Sequence, residues 1–483
     1  MENSIKTEIV YCPTTTEKNI KLEPQSDTTK YFNFFLFFAA FSVNLQTFAV
    51  GNSFGWSSTV LLDLESNDTQ TNPVGHPITS QESSWIVSLV NLGAAFGTIC
   101  AGVGASKWGK KKIMLILIIP VIFSHIILIF ANKASYIFIA RFLMGIGAGC
   151  TNSIVPLYVA EISETHIRGV LGCLMGVLFS LGLTNVFVIG AFVNVKTLSM
   201  FLLIPPVLFL VVFGYFCPES PYYYLAQGDT TSAKKSLKKL RNTDSNSLSK
   251  ELAHIKEVLQ ESNIEESLND AMKTKKFRKA LIITIGLMFF QQFIGVVAIM
   301  SYLETILSVA GGSFSSSTSS IFVGLVTVVS MSSSLFLVDR WGRKILLVLS
   351  SFGCAVAHVA LGIFFYMQNA GMEVTHLSWL PLTSLIVFTV AFNFGLGPLS
   401  WALNGELFSN KTKEFASSLA TFTFFILAFM ITFIFPFLRN LLGLHGSFWF
   451  FAVNGIICML FVLFYIPETK GKTFQEILRI LEK

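Results

Sequence analysis

The sequence predicts an all-α membrane protein with twelve transmembrane helices, arranged as two six-helix halves with a cytoplasmic helical segment between them. The first observation is composition: of 483 residues, 53% are hydrophobic and only 13% are charged, which is more apolar surface than a soluble domain can bury. The second is a series of twelve apolar runs, each at least as long as the roughly 20 residues that a helix needs to cross a bilayer. The third is an internal repeat that relates the first six runs to the last six.

The apolar runs, numbered one to twelve, fall into two sets. Runs one to six lie near residues 32–56, 85–105, 112–132, 136–158, 170–193 and 197–217. Runs seven to twelve lie near 280–309, 317–338, 345–367, 378–405, 415–437 and 447–466. The predicted parts are an N-terminal tail 1–31, a first half 32–217, a linker 218–279, a second half 280–466 and a C-terminal tail 467–483. Apolar residues recur at helical spacing in the linker, as at Ala233, Leu237 and Leu240, so short amphipathic helices are expected there.

The distribution of lysine and arginine predicts the orientation. Basic residues cluster after runs two, eight and ten, in the linker and in the C-terminal tail, whereas the stretch 57–84 contains none. Because basic residues favour the cytoplasmic side, both termini are expected in the cytoplasm. Residues 1–31 lack the apolar core of a signal peptide, so insertion is expected to begin at run one. The outward stretch carries Asn67-Asp-Thr, an acceptor pattern for N-glycosylation at Asn67.

Charged motifs recur at corresponding places in the two halves, all on the predicted cytoplasmic side. The chain has Lys-Trp-Gly-Lys-Lys from Lys107 after run two and Arg-Trp-Gly-Arg-Lys from Arg340 after run eight. Charges at helix ends in lipid are costly unless paired, so these residues are predicted to form a gate that joins the halves when the cytoplasmic side is closed. Topology signals and helix caps would explain the bases but not the recurring acids. The predicted gate residues are Lys107, Glu161, Arg168, Glu219, Asp339, Arg340, Arg343, Glu406, Lys413 and Glu468.

Six motifs occur along the chain in a characteristic order. They are Pro-Leu-Tyr-Val-Ala-Glu161-Ile-Ser with Arg168-Gly, Pro218-Glu-Ser-Pro, Gln291-Gln-Phe-Ile-Gly, Asp339-Arg-Trp-Gly-Arg, Gly397-Pro-Leu-Ser-Trp and Pro467-Glu-Thr-Lys-Gly. In these motifs the chain resembles the sugar porter family of the major facilitator superfamily, over residues 32–480. Gly55-Trp-Ser-Ser, the segment from Gly286 to Gln292, and Pro221-Tyr-Tyr resemble the insect facilitated trehalose transporters within it. The resemblance implies the major facilitator fold and transport of trehalose or a hexose by alternating access.

The resemblance also implies a central sugar site. In the family, the second Gln of run seven and the Trp of run ten line this site, and they correspond to Gln292 and Trp401 here. An amide offers two donors and an acceptor to sugar hydroxyls, and an indole offers a flat face. For two adjacent glutamines taken alone, hydrogen bonding between helices is the more common role. The predicted substrate-binding residues are Gln291, Gln292, Trp401, Asn404, Asn393 and Thr327.

The chain departs from the family pattern at several positions of this site. Gly176 stands where the family has Gln, Val297 where it has Asn, and Phe424-Phe425 where it has Asn-Trp. Losing one amide partner typically costs about 1–3 kcal/mol. We therefore expect weak binding of glucose in the usual pose, in a site that is larger at Gly176 and more apolar elsewhere.

Transport is expected to be facilitative. Proton-coupled members of the family pair an acid of run one with an Arg of run four. Here Arg141 is present but residues 32–56 contain no Asp or Glu, so a proton carrier is missing. Three alternatives stay open: a carrier of another solute such as a polyol, a proton-coupled symporter and a non-transporting sugar sensor.

No enzymatic activity, cofactor or metal is expected. The sequence has no nucleophile–base arrangement, no phosphate-binding loop and no His/Cys spacing of a metal site. The expected partners are a small-molecule sugar and the lipid bilayer, without nucleic acid. The protein is expected to act as a monomer in the plasma membrane.

Overall fold

The computed structural model describes residues 33–68, 71–164, 166–241, 245–264, 272–408, 410–472 and 476. Over these residues the regular secondary structure is entirely helical, and eleven helical stretches are long and apolar enough to cross a membrane. The last stretch contains two crossings, because Gly443 (φ 71°, ψ 173°) breaks the helical run Asn410–Tyr465. The predicted fold class is confirmed.

The helices follow the two predicted sets. The first half contains α1 Phe34–Leu64, α2 Ser80–Trp108, α3 Lys110–Ile129, α4 Ala134–Ile162, α5 Arg168–Gly190, α6 Val195–Leu202 and α7 Ile204–Phe216. Between the halves lie α8 Pro221–Ala226, α9 Thr230–Leu240 and α10 Ser245–Ile264. The second half contains α11 Lys275–Phe293, α12 Val296–Ser301, α13 Leu303–Ala310, α14 Ser316–Trp341, α15 Arg343–Asn369, α16 Leu380–Phe394, α17 Leu396–Glu406 and α18 Asn410–Tyr465.

The first helix is longer than predicted. It ends at Leu64 rather than at residue 56, and α2 begins at Ser80, so the connection is 65–79 instead of 57–84. Ser57, Ser58 and Thr59 lower the local hydropathy, which is why the sequence suggested an earlier end. Hydroxyls are nevertheless tolerated in a membrane helix when they bond to its own carbonyls, as Ser57 Oγ does to Phe54 O at 3.3 Å.

Three of the predicted runs are broken rather than continuous. Run six is interrupted at Leu203, just before two prolines whose nitrogens cannot donate to a helical ladder. Run seven is interrupted at Gly295, whose φ of 93° lies in the left-handed region that glycine adopts without strain. Run ten is interrupted at Gly395 (φ −139°, ψ −85°). At the breaks in runs seven and ten, backbone groups lose their helical partners, and side chains bond to some of them, as when Ser350 Oγ accepts from the N–H of Leu396 at 3.0 Å.

Within the first half, α2 packs along α4 and α1 packs along α5. Glycines permit the close approach of α2 and α4: a Cβ added at Gly93 would lie 2.1 Å from Phe142 O, and one at Gly149 would lie 2.0 Å from Ala94 O. In lipid, helices associate through such close packing because the surrounding tails are as apolar as the side chains. In the second half, α15 packs along α18 and α14 along α16.

The two halves meet where α2 packs on α18 and α5 packs on α14, with a further contact of α1 with α12 and α13. We call the end of the bundle that carries Lys107, Glu219 and Glu468 the basic end. The opposite end, which carries Asn67 and the start of α2 at Ser80, is the distal end. Asn67 is exposed there, and its glycosylation stays a prediction.

Candidate functional site

A cavity of about 2480 Å³ lies between the two halves. Its walls reach from Thr47, Asn152 and Gln291 in the middle of the bundle to Lys110 and Arg343 at the basic end. Among the described residues, those of the distal end do not contribute to its lining. Over the part of the chain that the structure describes, the cavity therefore opens at the basic end and not at the distal end.

The distal end is closed by contacts between the two halves. Three hydrogen bonds cross between the halves here. In each of them one partner lies on α1 or α2, and the other lies on or next to α12, α13 or α18. These bonds are Tyr302 Oη to Ser83 O (3.4 Å), Glu304 N to Ser58 Oγ (3.1 Å) and Asn91 Nδ2 to Thr432 Oγ1 (3.4 Å). Each of these bonds contributes only about 0.5–1.5 kcal/mol, and Trp85 of α2 also packs against Phe433 of α18, with ring centres 4.9 Å apart.

Glu304 places a carboxyl group inside the distal closure. It is buried, its Oε2 accepts a hydrogen bond from Ser317 Oγ at 3.3 Å, and its Oε1 has no hydrogen-bond partner. Glu304 is not among the residues predicted from the sequence, although it is the only acid in run seven. A lone acid within an apolar run was the signal that could have identified it.

Five of the six predicted substrate-binding residues line the cavity: Gln291, Trp401, Asn404, Asn393 and Thr327. Gln292 is not among the lining residues. It is fully buried, and neither its Oε1 nor its Nε2 has a hydrogen-bond partner. The two adjacent glutamines therefore occupy different environments, with Gln291 on the cavity wall and Gln292 behind it.

The amides of the cavity wall are partly engaged with the protein itself. Gln291 Nε2 donates to Gly397 O at 3.2 Å, and Asn393 Nδ2 donates to Ser330 Oγ at 2.9 Å. Gln291 Oε1 and Asn404 Oδ1 have no partner. Both oxygens are buried in this conformation, so each becomes an acceptor for a ligand hydroxyl only when its side chain turns toward the cavity.

Aromatic rings form much of the wall at the same level. The ring of Trp401 lies 5.1 Å from that of Phe424, which lies 5.1 Å from that of Phe425. The aromatic residues that line the cavity also include Phe54, Phe179, Phe388 and Phe392. Such a wall suits a ligand with one apolar face as well as hydroxyl groups.

The predicted enlargement of the site at Gly176 is wrong. A Cβ at this position would lie 2.4 Å from the Cε atom of Met331, which belongs to α14 in the other half. Met331 therefore occupies the room that a longer side chain at Gly176 would need. Its flexible thioether suits it to such gap filling.

Ion pairs at the basic end join helices within each half. Lys110 of α3 pairs with Glu161 of α4, and Arg343 of α15 pairs with Glu406 of α17 at 3.2 Å. These two pairs occupy equivalent positions of the internal repeat. Lys110 was part of the repeated motif but not of the predicted gate.

The predicted gate pairs between the halves stay a prediction, because the basic end is open in this structure. Lys107 and Arg168 are exposed there. The side chains of Asp339, Arg340 and Lys413 lie outside the described residues.

Glu219 and Glu468 bind backbone groups at the starts of two helices. Glu219 Oε2 accepts from the N–H of Lys111 at 2.9 Å, and Glu468 accepts from the N–H groups of Arg343 and Lys344, both at 3.0 Å. Each carboxylate thus caps the N-terminus of α3 or α15, where backbone donors lack intrahelical partners. Burial raises the pKa of Glu219 above its usual value. Burial also acts to raise the pKa of Glu468, but backbone N–H donors outweigh it and hold that pKa below the usual value.

Replacing Glu468 with alanine is expected to destabilise the second half by about 0.5–2 kcal/mol, the range for loss of an N-terminal cap, because solvent screens a carboxylate that is only partly buried. Because the pKa of Glu468 is lower in the folded protein, the stabilisation is present above the unfolded pKa of about 4.3. It is lost as the pH falls through the folded pKa. Thermal unfolding in detergent at pH 7 and below pH 4 measures both effects. Glu373→Ala, at an exposed position, is the matched control, and equal melting of the two variants at pH 7 would contradict the cap.

Arg141 is buried and interacts with backbone and aromatic groups. It donates to Ile86 O at 2.9 Å and Ser53 O at 2.5 Å, and its guanidinium lies 5.3 Å from the ring centre of Trp56. Among the described residues, no carboxylate lies within ion-pair distance of it. The longer α1 does contain Asp63, at its distal end.

Comparison with known proteins gives consistent matches over most of the chain. Residues 28–481 match the family model described as sugar (and other) transporter. The chain is 33% identical over 444 residues to the facilitated trehalose transporter Tret1 of Polypedilum vanderplanki, covering 91% of this chain and 87% of that protein. It is 31% identical over 456 residues to Tret1 of Bombyx mori, covering 94% and 88%. Its fold is similar to the inward open conformation of the xylose transporter XylE from E. coli, with a TM-score of 0.76, 22% identity and coverage of 92% and 99%.

Proposed function

The chain belongs to the sugar transporter family of multi-pass membrane proteins, and we propose that it moves a sugar, trehalose or a hexose, across the membrane by facilitated diffusion. The observation that carries this proposal is the cavity between the halves. It is open at the basic end, closed at the distal end, and lined at mid-bundle by Gln291, Asn404 and Trp401. Alternating access requires such a central site between two halves that can rock against each other.

The chemistry of the wall supports a sugar as the ligand. The amide oxygens of Gln291 and Asn404 are buried and unpartnered in this conformation, and they can accept from sugar hydroxyls once these side chains turn toward the cavity. The ring of Trp401 suits the apolar face of a pyranose. The relatives named for trehalose support the disaccharide as the first substrate to test. The apolar Phe424 and Val297 on the same wall favour a pose with fewer hydrogen bonds than the family pattern implies.

The arrangement in the membrane is inferred from charge. We infer that the basic end faces the cytoplasm of the cell, that the protein resides in the plasma membrane and that it works as a monomer. The structure then corresponds to the inward-facing state. In the outward-facing state we expect charged residues of the basic end, among them Glu161, Arg168, Glu406 and Lys413, to bond between the halves.

Uptake of labelled trehalose, glucose and a polyol into proteoliposomes tests the proposed function. We expect saturable uptake of trehalose or glucose that equilibrates across the membrane without accumulating. Adding a protonophore is expected to leave the rate unchanged. Saturable flux of the polyol alone, or no flux of any of the three, would overturn the proposal.

Proton-linked sugar transport is the second candidate, and Glu304 is the observation that favours it. A carboxyl group that is buried when the distal end is closed must meet water when that end opens, because it lies between separating halves. It could then exchange a proton with the outer solution. Accumulation of sugar against its gradient, driven by an inward proton gradient and abolished in Glu304→Gln, would favour this candidate over facilitated diffusion.

A further inference from the structure

A histidine from α15 contacts the break in run seven. His358 is completely buried, and its Nε2 lies 2.9 Å from the carbonyl oxygen of Ile294, the residue that follows the end of α11. A carbonyl oxygen can only accept, so Nε2 carries the proton and donates it. The bond links two helices that are distant in sequence at the point where one of them is interrupted.

The break explains why this carbonyl needs a partner. Gly295 turns the chain with φ 93°, its N–H donates to Gln292 O at 2.8 Å, and the next helix, α12, starts at Val296. Carbonyl groups at a helix C-terminus lose their intrahelical donors. Inside a membrane protein such a group must find another donor or remain at a considerable cost in free energy.

The surroundings of His358 offer little else to a polar ring. The rings of Phe388, Phe448 and Phe451 lie 4.6, 6.0 and 5.8 Å from it, and its Nδ1 has no hydrogen-bond partner. An apolar side chain would pack in this place without leaving a nitrogen unsatisfied. The bond to Ile294 is therefore the specific contribution of a histidine at this position.

The break connects the two working parts of run seven. On one side of it, α11 carries Gln291 on the cavity wall; on the other side, α12 carries Val296 and Met300 of the same wall. Beyond α12, the backbone N–H of Glu304 bonds to Ser58 in the distal closure. The angle between α11 and α12 therefore affects both the cavity wall and the distal closure.

We propose that His358 is a positioning residue, which holds the break in run seven by donating to Ile294 O and thereby stabilises the conformation that is closed at the distal end. The consequence for transport rests on the proposed function, whereas the conformational effect does not. Loss of the bond is expected to shift the population toward the state that is open at the distal end and closed at the basic end.

Native Cys173 provides a readout of this shift that does not depend on sugar transport. It lies on α5 and lines the cavity that opens at the basic end. Its labelling rate by a maleimide applied from the side of the basic end reports how often that end is open. Peptide mass spectrometry separates its modification from that of the other cysteines.

The test compares donor-free with donor-retaining variants in the full-length protein. His358→Phe and His358→Met remove the donor and keep an apolar or adaptable side chain, whereas His358→Gln keeps an N–H donor. One ordinary hydrogen bond changes the equilibrium constant between the two states about fivefold, so we expect donor-free variants to label Cys173 more slowly, by at most that factor, and His358→Gln to label at nearly the wild-type rate. Two donor-free variants are included so that the comparison survives if one of them does not fold.

Sugar uptake measured on the same proteins separates the two proposals. With the proposed function correct, turnover in the donor-free variants falls by a similar factor and His358→Gln restores it. If no sugar is transported but labelling changes as expected, the proposed function fails and the role of His358 stands. Equal labelling in wild type and in all folded variants, or equal defects in donor-free and donor-retaining variants, would overturn the role of His358.

Discussion

Valine at Gly149 is expected to prevent the first half from folding, so that little intact protein reaches the membrane. A Cβ at this position would lie 2.0 Å from Ala94 O and 2.6 Å from Thr98 N, and both are backbone atoms of α2. No side-chain rotation can relieve such contacts, so α2 and α4 would have to separate by more than an ångström along their main interface. We expect this substitution to lower the free energy of unfolding by more than about 4–5 kcal/mol, a loss that few single substitutions cause. A typical protein has a free energy of unfolding of only about 5–15 kcal/mol.

Gly172→Val is the matched control for this substitution. Gly172 also lies within a helix of the first half, but a Cβ added there would have no atom outside its own helix within 4 Å. Both variants share the change in helix propensity, so the difference between them isolates the helix contact. Fluorescence-detected size-exclusion chromatography of tagged protein gives the monodisperse fraction. Comparable monodisperse peaks for the two variants would show that α2 and α4 do not need to approach this closely.

The fold was predictable because its signals are local and repeated. The lengths of the apolar runs located the membrane crossings, and the repeated basic motifs divided these crossings into two halves. The glycines that bring α2 and α4 together are visible in the sequence as small residues four apart, at Gly93 and Gly97 and at Gly145 and Gly149. Their pairing is not visible, because nothing in either segment specifies the other as its partner. The end of α1 was missed because hydroxyl side chains lower hydropathy without breaking a helix.

The site was predictable where a residue type alone carries the chemistry. Amides and an indole within apolar runs indicated Gln291, Asn404 and Trp401, all of which line the cavity. The free space beside Gly176 was not predictable, because it is filled by the side chain of Met331 from the other half. The identity of one residue does not indicate which distant side chain packs against it. Glu219 and Glu468 were predicted as gate residues because helix caps were not expected to explain the recurring acids. In this conformation both carboxylates do cap helices, by accepting from the backbone N–H groups at the starts of α3 and α15.

Replacing Gln291 with leucine is expected to raise the KM for sugar uptake by about 5- to 150-fold. The expected range corresponds to the 1–3 kcal/mol that is lost when one partner of a buried hydrogen bond is removed. Gln291 lines the cavity and its Oε1 is buried without a protein partner, so leucine removes an acceptor that would turn to a sugar hydroxyl when sugar binds. Zero-trans uptake in proteoliposomes gives the KM, and thermal unfolding shows whether the variant remains folded.

Replacing the neighbouring Gln292 with leucine is the matched comparison, and the opposite result is expected for it. Its amide is fully buried without a hydrogen-bond partner, so an apolar side chain of similar volume removes an unsatisfied group and should maintain or increase stability. In this structure, which is open at the basic end, Gln292 does not line the cavity wall. We therefore expect the KM of the Gln292→Leu variant for sugar uptake to differ from that of the wild type by less than twofold. The family resemblance instead assigns the sugar contact to Gln292. A larger rise in KM for Gln292→Leu than for Gln291→Leu would mean that run seven rotates about its break when sugar binds, which brings Gln292 to the wall in a conformation other than this one.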